Sequence, residues 1–243
     1  MQRHIFAIYG LVRIADETVD TYTGSDRGAL LEALKTEVYA ALLSNYSTNP
    51  VVHAFVNTAR EYAIDARLID PFFESMRMDL TPKKYTKKLY EQYIFGSAEV
   101  IGLMCLKVFT AGKPERYEEL EAGAKALGAA YQKVNFLRDV AGDYREQGRF
   151  YFPGVTFASL KEADKKAIVQ DIREDFEKAL PYLRQLPPQA KKAVHLSYLY
   201  YSRLLTELER TPIASLKKKR VRLSGSKKAL IAASQLLPSK GVK

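Results

Sequence analysis

An all-α fold, built as one domain over residues 1–243, is predicted by three features of this chain. Apolar residues recur at helical spacing along most of its length. No block of strand-like alternation interrupts them, and Gly24, Gly28, Asn49-Pro50, Gly112, Pro114 and Pro187-Pro188 mark the breaks between them. A hydrophobic content of 47% supports a sizeable core, and a charged fraction of 27% is ordinary for a water-facing surface.

The elements follow in order. Met1–Val12 pairs a charge with a short apolar run, as a signal peptide does. Arg13, Asp16 and Asp20 follow at once with no small-residue cleavage site, so the segment reads as helix. Thr21–Gly28 is a turn, and Ala29–Ser44 is an amphipathic helix with Leu30, Leu31, Leu34, Val38 and Leu42 apolar. Asn49-Pro50 opens a helix to about Tyr62. Another spans roughly Ala66–Asp79, with Pro71 expected to cap or kink it. Asp79, just before Thr81-Pro82, reads either as a helix-end residue or as a further acidic ligand. Lys87–Phe109 is the longest apolar segment, and Glu99 and Lys107 within it argue against a membrane span. Its Gly96, Ser97, Ala98 and Gly102 fit close helix packing or room for a bulky apolar guest. Glycine inside a helix costs about 1 kcal/mol against Ala, so something must compensate. Ala111–Pro114 breaks the chain, Glu115 starts a long helix, and Gly148–Gly154 is a loop. Leu160–Leu180 and Ala190–Leu208 are the last long helices, separated by Pro187-Pro188; the second clusters Tyr198, Tyr200 and Tyr201.

Two of these helices carry polar stripes. In the long one, Gln132, Asn135, Asp139 and Asp143 are spaced 3, 4 and 4 apart, which keeps them on one face among apolar residues. In the first, Tyr9, Arg13, Asp16 and Asp20 are spaced 4, 3 and 4 apart. Paired carboxylates in apolar surroundings are costly unless a cation neutralises them. A donor set of oxygens suits a hard divalent cation, Mg²⁺ first and Mn²⁺ as an alternative. If the stripes face one another they form an acidic mouth for several such ions, with Arg13 and Arg138 as anion contacts, and such a mouth would take a diphosphate. A third Asp-x-x-x-Asp pair, Asp171–Asp175, sits among Lys165, Lys166, Arg173, Glu174 and Lys178 and reads as an ordinary solvated helix face.

Other chemistries find little support. The single cysteine, Cys105, lies in an apolar run and reads as packing, and His4, His53 and His195 are isolated from one another. No nicotinamide-binding fingerprint is present, and a reducing cytoplasmic compartment fits the cysteine usage.

The series Tyr9-x-x-x-Arg13-x-x-Asp16-Glu17-x-x-Asp20, then Gln132-x-x-Asn135-x-x-Arg138-Asp139-x-x-x-Asp143, then Gly148-Arg149-x-Tyr151-x-Pro153, resembles the squalene/phytoene synthase family. The segment Tyr93–Met104 resembles that family's pocket helix, with Glu99 departing from a small residue common there. The likeness runs over nearly the whole chain and is nearest to phytoene synthases. It implies a helical bundle of the isoprenoid synthase type around a central cavity, and a Mg²⁺-dependent prenyltransferase acting on two prenyl diphosphates. The implied reaction is head-to-head condensation of two geranylgeranyl diphosphates to phytoene through a cyclopropyl diphosphate. Dehydrosqualene from two farnesyl diphosphates is the runner-up, and a non-catalytic membrane-surface helical domain the alternative of another class. Asp16, Asp20, Asp139 and Asp143 would be catalytic and, with Asn135, metal-holding. Tyr9, Arg13, Gln132, Asn135, Arg138 and Tyr201 would contact substrate. In the family a helix and a Ser/Phe-containing arm precede the first acidic motif and help close over a diphosphate. Here eight residues precede Tyr9, which implies a later start or a more open mouth.

The charge is unevenly divided. Of 38 Lys and Arg, ten lie from Arg210 onward with no Asp or Glu, leaving the rest balanced at 28 against 28. A solvated tail is the plain reading. An anionic membrane surface is the functional one, with peripheral placement at the inner membrane face. No aromatic residue follows Tyr201, so nucleic acid is not expected. The segment Arg220–Ser224 also resembles the family's basic C-terminal segment, which implies an approach to the second diphosphate.

Overall fold

The computed structural model describes residues 1–81 and 84–234; the tail from 235, with its last two lysines, lies outside the described residues. No strand occurs among the described residues. The order is α1 (Gln2–Asp20), α2 (Arg27–Ser44), α3 (Pro50–Glu61), α4 (Ala66–Met78), α5 (Lys87–Ile94), a π turn (Phe95–Glu99), α6 (Val100–Phe109), α7 (Pro114–Gln147), α8 (Glu162–Leu183), α9 (Pro188–Arg210), α10 (Ile213–Leu216) and α11 (Gly225–Ser234). The helix starts are chemically marked. Asn49 accepts from the Val51 and Val52 amides, Asp65 from Arg67 and Thr86 from Leu89, each meeting amides that have no partner in the first turn.

Two apolar cores share the bundle. One joins α1–α4 and α6 around Ile8, Leu11, Phe55, Phe72, Phe73 and Met104. The other joins α5, α7, α8 and α9 around Tyr93, Phe136, Leu137, Ile172 and Leu205. The segment Lys87–Phe109 is apolar and long enough to cross a bilayer, yet half of it is buried inside the bundle. It packs against α4 on one side and α7 on the other.

The small residues of that segment serve both readings. A Cβ at Gly96 would overlap the Pro71 carbonyl oxygen and Ser75 Oγ, so Gly96 allows the π turn to sit against α4. Pro71 lies inside α4, where its carbonyl meets this glycine. A Cβ at Gly102 would come within 2.9 Å of the Ala124 carbonyl oxygen, and one at Gly128 within 2.8 Å of that of Ala98. These contacts bring α6 and α7 close. Ser97, Ala98 and Gly102 also line a cavity of about 340 Å³, together with Leu127 and Gly128 of α7 and Val12 of α1.

Asp171–Asp175 departs from its expected solvated setting. Asp175 is 8% exposed, and Lys133 of α7 reaches Asp171 Oδ2 at 2.6 Å and Asp175 Oδ2 at 2.7 Å. The pair ties α7 to α8, because Lys133 is itself buried and needs an anion there.

Candidate active site

α7 runs beside both the apolar cavity and the polar stripe. Residues Leu120–Tyr131 line the cavity, a length of roughly 16 Å at the rise of an α-helix. The stripe Gln132, Asn135, Asp139 and Asp143 follows directly. On α1 the order is the same: Val12 lines the cavity and Asp16 and Asp20 lie one and two turns beyond it. Each acidic row therefore begins where the apolar hollow ends.

The rows are joined by Arg149. Gly148 takes a left-handed conformation, φ 67°, at the end of α7, which suits glycine and turns the chain back. The Arg149 amide donates to the Asp143 carbonyl at 2.9 Å. Its guanidinium then reaches across: Nη1 donates to Asp20 Oδ1 at 2.5 Å and to Gln147 Oε1 at 2.9 Å, and Nη2 to the Asp79 carbonyl at 2.7 Å. Asp79 is 5% exposed and its carboxylate accepts from Tyr93 Oη at 2.6 Å and Tyr151 Oη at 3.2 Å, with Arg149 Nε at 3.6 Å. Asp79 is thus a buried partner of Arg149.

Electrostatics marks the mouth. Burial, then repulsion from Asp139, pushes the Asp143 carboxyl up to about 7; Arg149 opposes this, and Asp20 and Asp79 add to it. Burial, then Asp20, raises Asp16. Asp79 is pushed up to about 6 by burial, against the pull of Arg149. Burial works against the Arg149 cation, but Asp79, Tyr151 and Asp20 outweigh it and raise its pKa.

The other stripe residues divide. Asp139 is held by Arg138 Nη2 at 2.5 Å and by Arg220 Nε at 2.7 Å. Arg13 pairs with Asp16 at 3.2 Å and with Glu17, keeping to its own helix. Asn135 Oδ1 is buried without a hydrogen-bond partner among the described residues. Gln132 is half-buried beside it. Tyr201 stacks on the cavity-lining Tyr131, ring centroids 4.1 Å apart. Tyr9 is 61% exposed and lines neither the apolar cavity nor the polar one at the mouth. Glu99 is half-buried; desolvation raises its pKa, with Lys125, Asp175 and Lys133 as its charged surroundings.

The basic segment crosses the mouth. Arg145 donates to the Lys217 carbonyl at 2.8 Å and the Lys218 carbonyl at 3.3 Å. A second cavity of about 390 Å³ lies between Asp139, Asp143 and Glu146 on one side and Lys218, Lys219, Arg220 and Arg222 on the other. Among the described residues no group of three or more Asp, Glu, His or Cys is gathered closely enough to hold one ion. The donor set still fits a hard cation: the orphaned Asn135 oxygen and the poorly neutralised Asp143 share one helix face.

Sequence reasoning left Asp79 open between a helix end and an acidic ligand, and did not select Tyr93, Arg149 and Tyr151 as site residues. The Gly148–Pro153 motif was the available signal for two of them.

The chain is 30% identical over 231 residues to a chloroplastic phytoene synthase of Narcissus pseudonarcissus, covering 86% of this chain and 53% of that one. It is 29% identical over 224 residues to phytoene synthase 3 of Zea mays, 84% and 52% covered, and thus spans about half the length of these two relatives. The phytoene synthase of Arthrospira platensis is 28% identical over 233 residues, 85% and 74% covered. In fold, the chain is similar to a ligand-bound dehydrosqualene synthase, with a TM-score of 0.81 at 20% identity over 97% of this chain and 87% of that one. The squalene synthase HpnC of Alicyclobacillus acidocaldarius gives 0.74 at 21% identity, covering 85% and 82%. The bundle is therefore that of the isoprenoid synthases. The sequence model of squalene/phytoene synthase matches residues 1–227, and the chain belongs to the squalene/phytoene synthase family.

Proposed function

We propose that the protein condenses two geranylgeranyl diphosphates head to head to phytoene, a step of carotenoid biosynthesis. The observation that carries this reading is two acidic rows meeting through Arg149 at the end of an apolar cavity. Asp16 and Asp20 on one side, and Asn135, Asp139 and Asp143 on the other, would hold Mg²⁺. Bound there, the metal supplies charge neutralisation to a departing diphosphate.

The residues of the chain supply the rest. Arg138 and Arg220, now on Asp139, are free to turn to diphosphate oxygens once that carboxylate has another cation. Arg13, Gln132 and Arg149 orient the same groups, while Tyr201 supports the cavity wall through Tyr131. One allylic C–O bond breaks and diphosphate leaves. The double bond of the second substrate attacks the cation, and loss of one proton closes the cyclopropyl diphosphate. Loss of the second diphosphate, rearrangement and loss of a second proton give the hydrocarbon, with no redox partner consumed. The apolar lining keeps water from the cation.

Incubation with labelled geranylgeranyl diphosphate and Mg²⁺ should yield phytoene and inorganic diphosphate. Dehydrosqualene from farnesyl diphosphate instead would change the chain length and keep the reaction. Absence of hydrocarbon from either would favour the non-catalytic helical domain.

The same reading places the protein at the cytoplasmic face of an anionic membrane. Lys218, Lys219 and Arg222 are exposed at the mouth and Lys228 and Leu230 are exposed on α11, and a basic surface there would keep the site near the lipid that dissolves its product. Replacing the four cations with Gln should abolish sedimentation with phosphatidylglycerol vesicles, while phosphatidylcholine vesicles bind neither form. Equal binding to both vesicles, or salt-sensitive retention on DNA alone, would overturn this placement.

A further inference from the structure

We infer that Asp79, together with Tyr93 and Tyr151, is a positioning device that holds Arg149 at the mouth for a diphosphate. This rests on the reading above.

A carboxylate so deeply buried is costly unless it is paired and hydrogen-bonded, and nothing in the end of α4 requires an acid at this point. Among the described residues, the hydrogen bonds and the ion pair of this carboxylate go to two hydroxyls and one guanidinium. Tyr93 Oη and Tyr151 Oη bind the carboxylate from one side, 3.5 Å from each other. Arg149 meets it from the other through Nε, and meets its backbone carbonyl through Nη2. The tyrosines are fixed in turn: the Tyr151 ring stacks on Phe136 with centroids 4.1 Å apart, and Tyr85 packs against both tyrosines at 5.1 and 5.7 Å. This clamp holds the inner edge of the guanidinium. The outer edge, Nη1, is left facing Asp20 and Gln147 at the mouth.

Arg149 is also the cation that moderates Asp16, Asp79 and Asp143 together, so its orientation affects both rows. A planar fork held along one edge is prepared to meet phosphate oxygens with the other. Asp79 never needs to touch substrate; it acts through Arg149.

That indirect role separates it from a merely structural one. Asp79→Asn keeps the shape and the carbonyl contact but removes the charge. Arg149→Lys keeps the charge but cannot span the same partners. Binding of inorganic pyrophosphate with Mg²⁺ is measured by calorimetry for the wild type, both single variants and the double variant, with hydrocarbon formation measured alongside. Asp79→Asn should weaken pyrophosphate about tenfold and lower kcat more than it raises KM. In the Arg149→Lys background it should add nothing, since the two form one unit. Tyr151→Phe, which keeps the ring packing, should shift binding in the same direction by less.

Unchanged pyrophosphate affinity in Asp79→Asn, or losses that add in the double variant, would overturn the inference. If the wild type binds pyrophosphate and forms no hydrocarbon, the reaction proposed above fails while the positioning role still stands or falls on the binding data. If the wild type binds no pyrophosphate, both are wrong.

Discussion

Asp139–Asp143 and Asp171–Asp175 share a motif and lie on two helices that pack against each other, yet they are wired in opposite ways. On α8 the protein supplies the missing cation from within: Lys133 touches both carboxylates and Lys178 stands 3.8 Å from Asp175. On α7, Asp139 takes its cations from its neighbour Arg138 and from the basic segment, and Asp143 has no ion pair among the described residues. Its carboxyl is pushed up to about 7 as a result of burial and of Asp139. The spacing of two acids therefore says little by itself. What distinguishes a site from a brace is which carboxylates the fold leaves without a dedicated counter-ion.

The largest expected effect of this contrast is on turnover. Asp143→Asn should lower hydrocarbon formation by about 100-fold or more, since the loss falls on charge stabilisation of the departing group. Asp171→Asn, in the half-exposed position of the other pair, should leave the rate within about threefold; equal losses would erase the distinction. Stability should show the reverse order. Lys133→Met strands two acids, one of them buried, and should cost about 3 kcal/mol, seen as a fall in Tm of roughly 6–12 °C. Arg138→Met, beside a carboxylate that retains Arg220, should cost less.

The smallest effect is one of pH. Because the folded state raises the Asp143 pKa, this group favours folding most below about pH 4. That contribution is lost as pH rises toward 7. Asp79, raised to about 6, acts in the same sense. In chelator, Asp143→Asn should therefore be more stable than wild type at pH 8 by on the order of 1–3 kcal/mol and nearly equal to it at pH 4. Urea unfolding at the two pH values measures the difference, and a gain at the lower pH would reverse the sign of the argument.

Most of the fold was legible because helical periodicity is local. The starts at Asn49 and Thr86, the break at Ala111–Pro114 and the long run through Asp143 are all written within a few neighbouring residues. The two acidic stripes were legible for the same reason. Partnerships across the chain were not. Arg149 lies 129 positions from Asp20 and 70 from Asp79, and no local pattern says that they meet. Lys133 reads as an ordinary helix lysine until α8 is laid on it, and the supposedly solvated Asp175 changes character with it. Tyr9 shows the limit of phase alone: it lies on the same helix face as Asp16 but is left in the open.

The π turn at Phe95–Glu99 has an effect larger than its length. A π turn holds about one residue more than an α turn, so it resets the angular phase of everything after it. Deleting one residue there would restore an uninterrupted α-helix and rotate Val100–Phe109 by about 100°. Ile101, Gly102 and Cys105 would swing away from the hollow, and bulkier core neighbours would swing toward it. The width of this chamber thus depends on residue count as much as on residue identity, and an inserted or lost codon in that one turn could remodel it more than most substitutions along its wall.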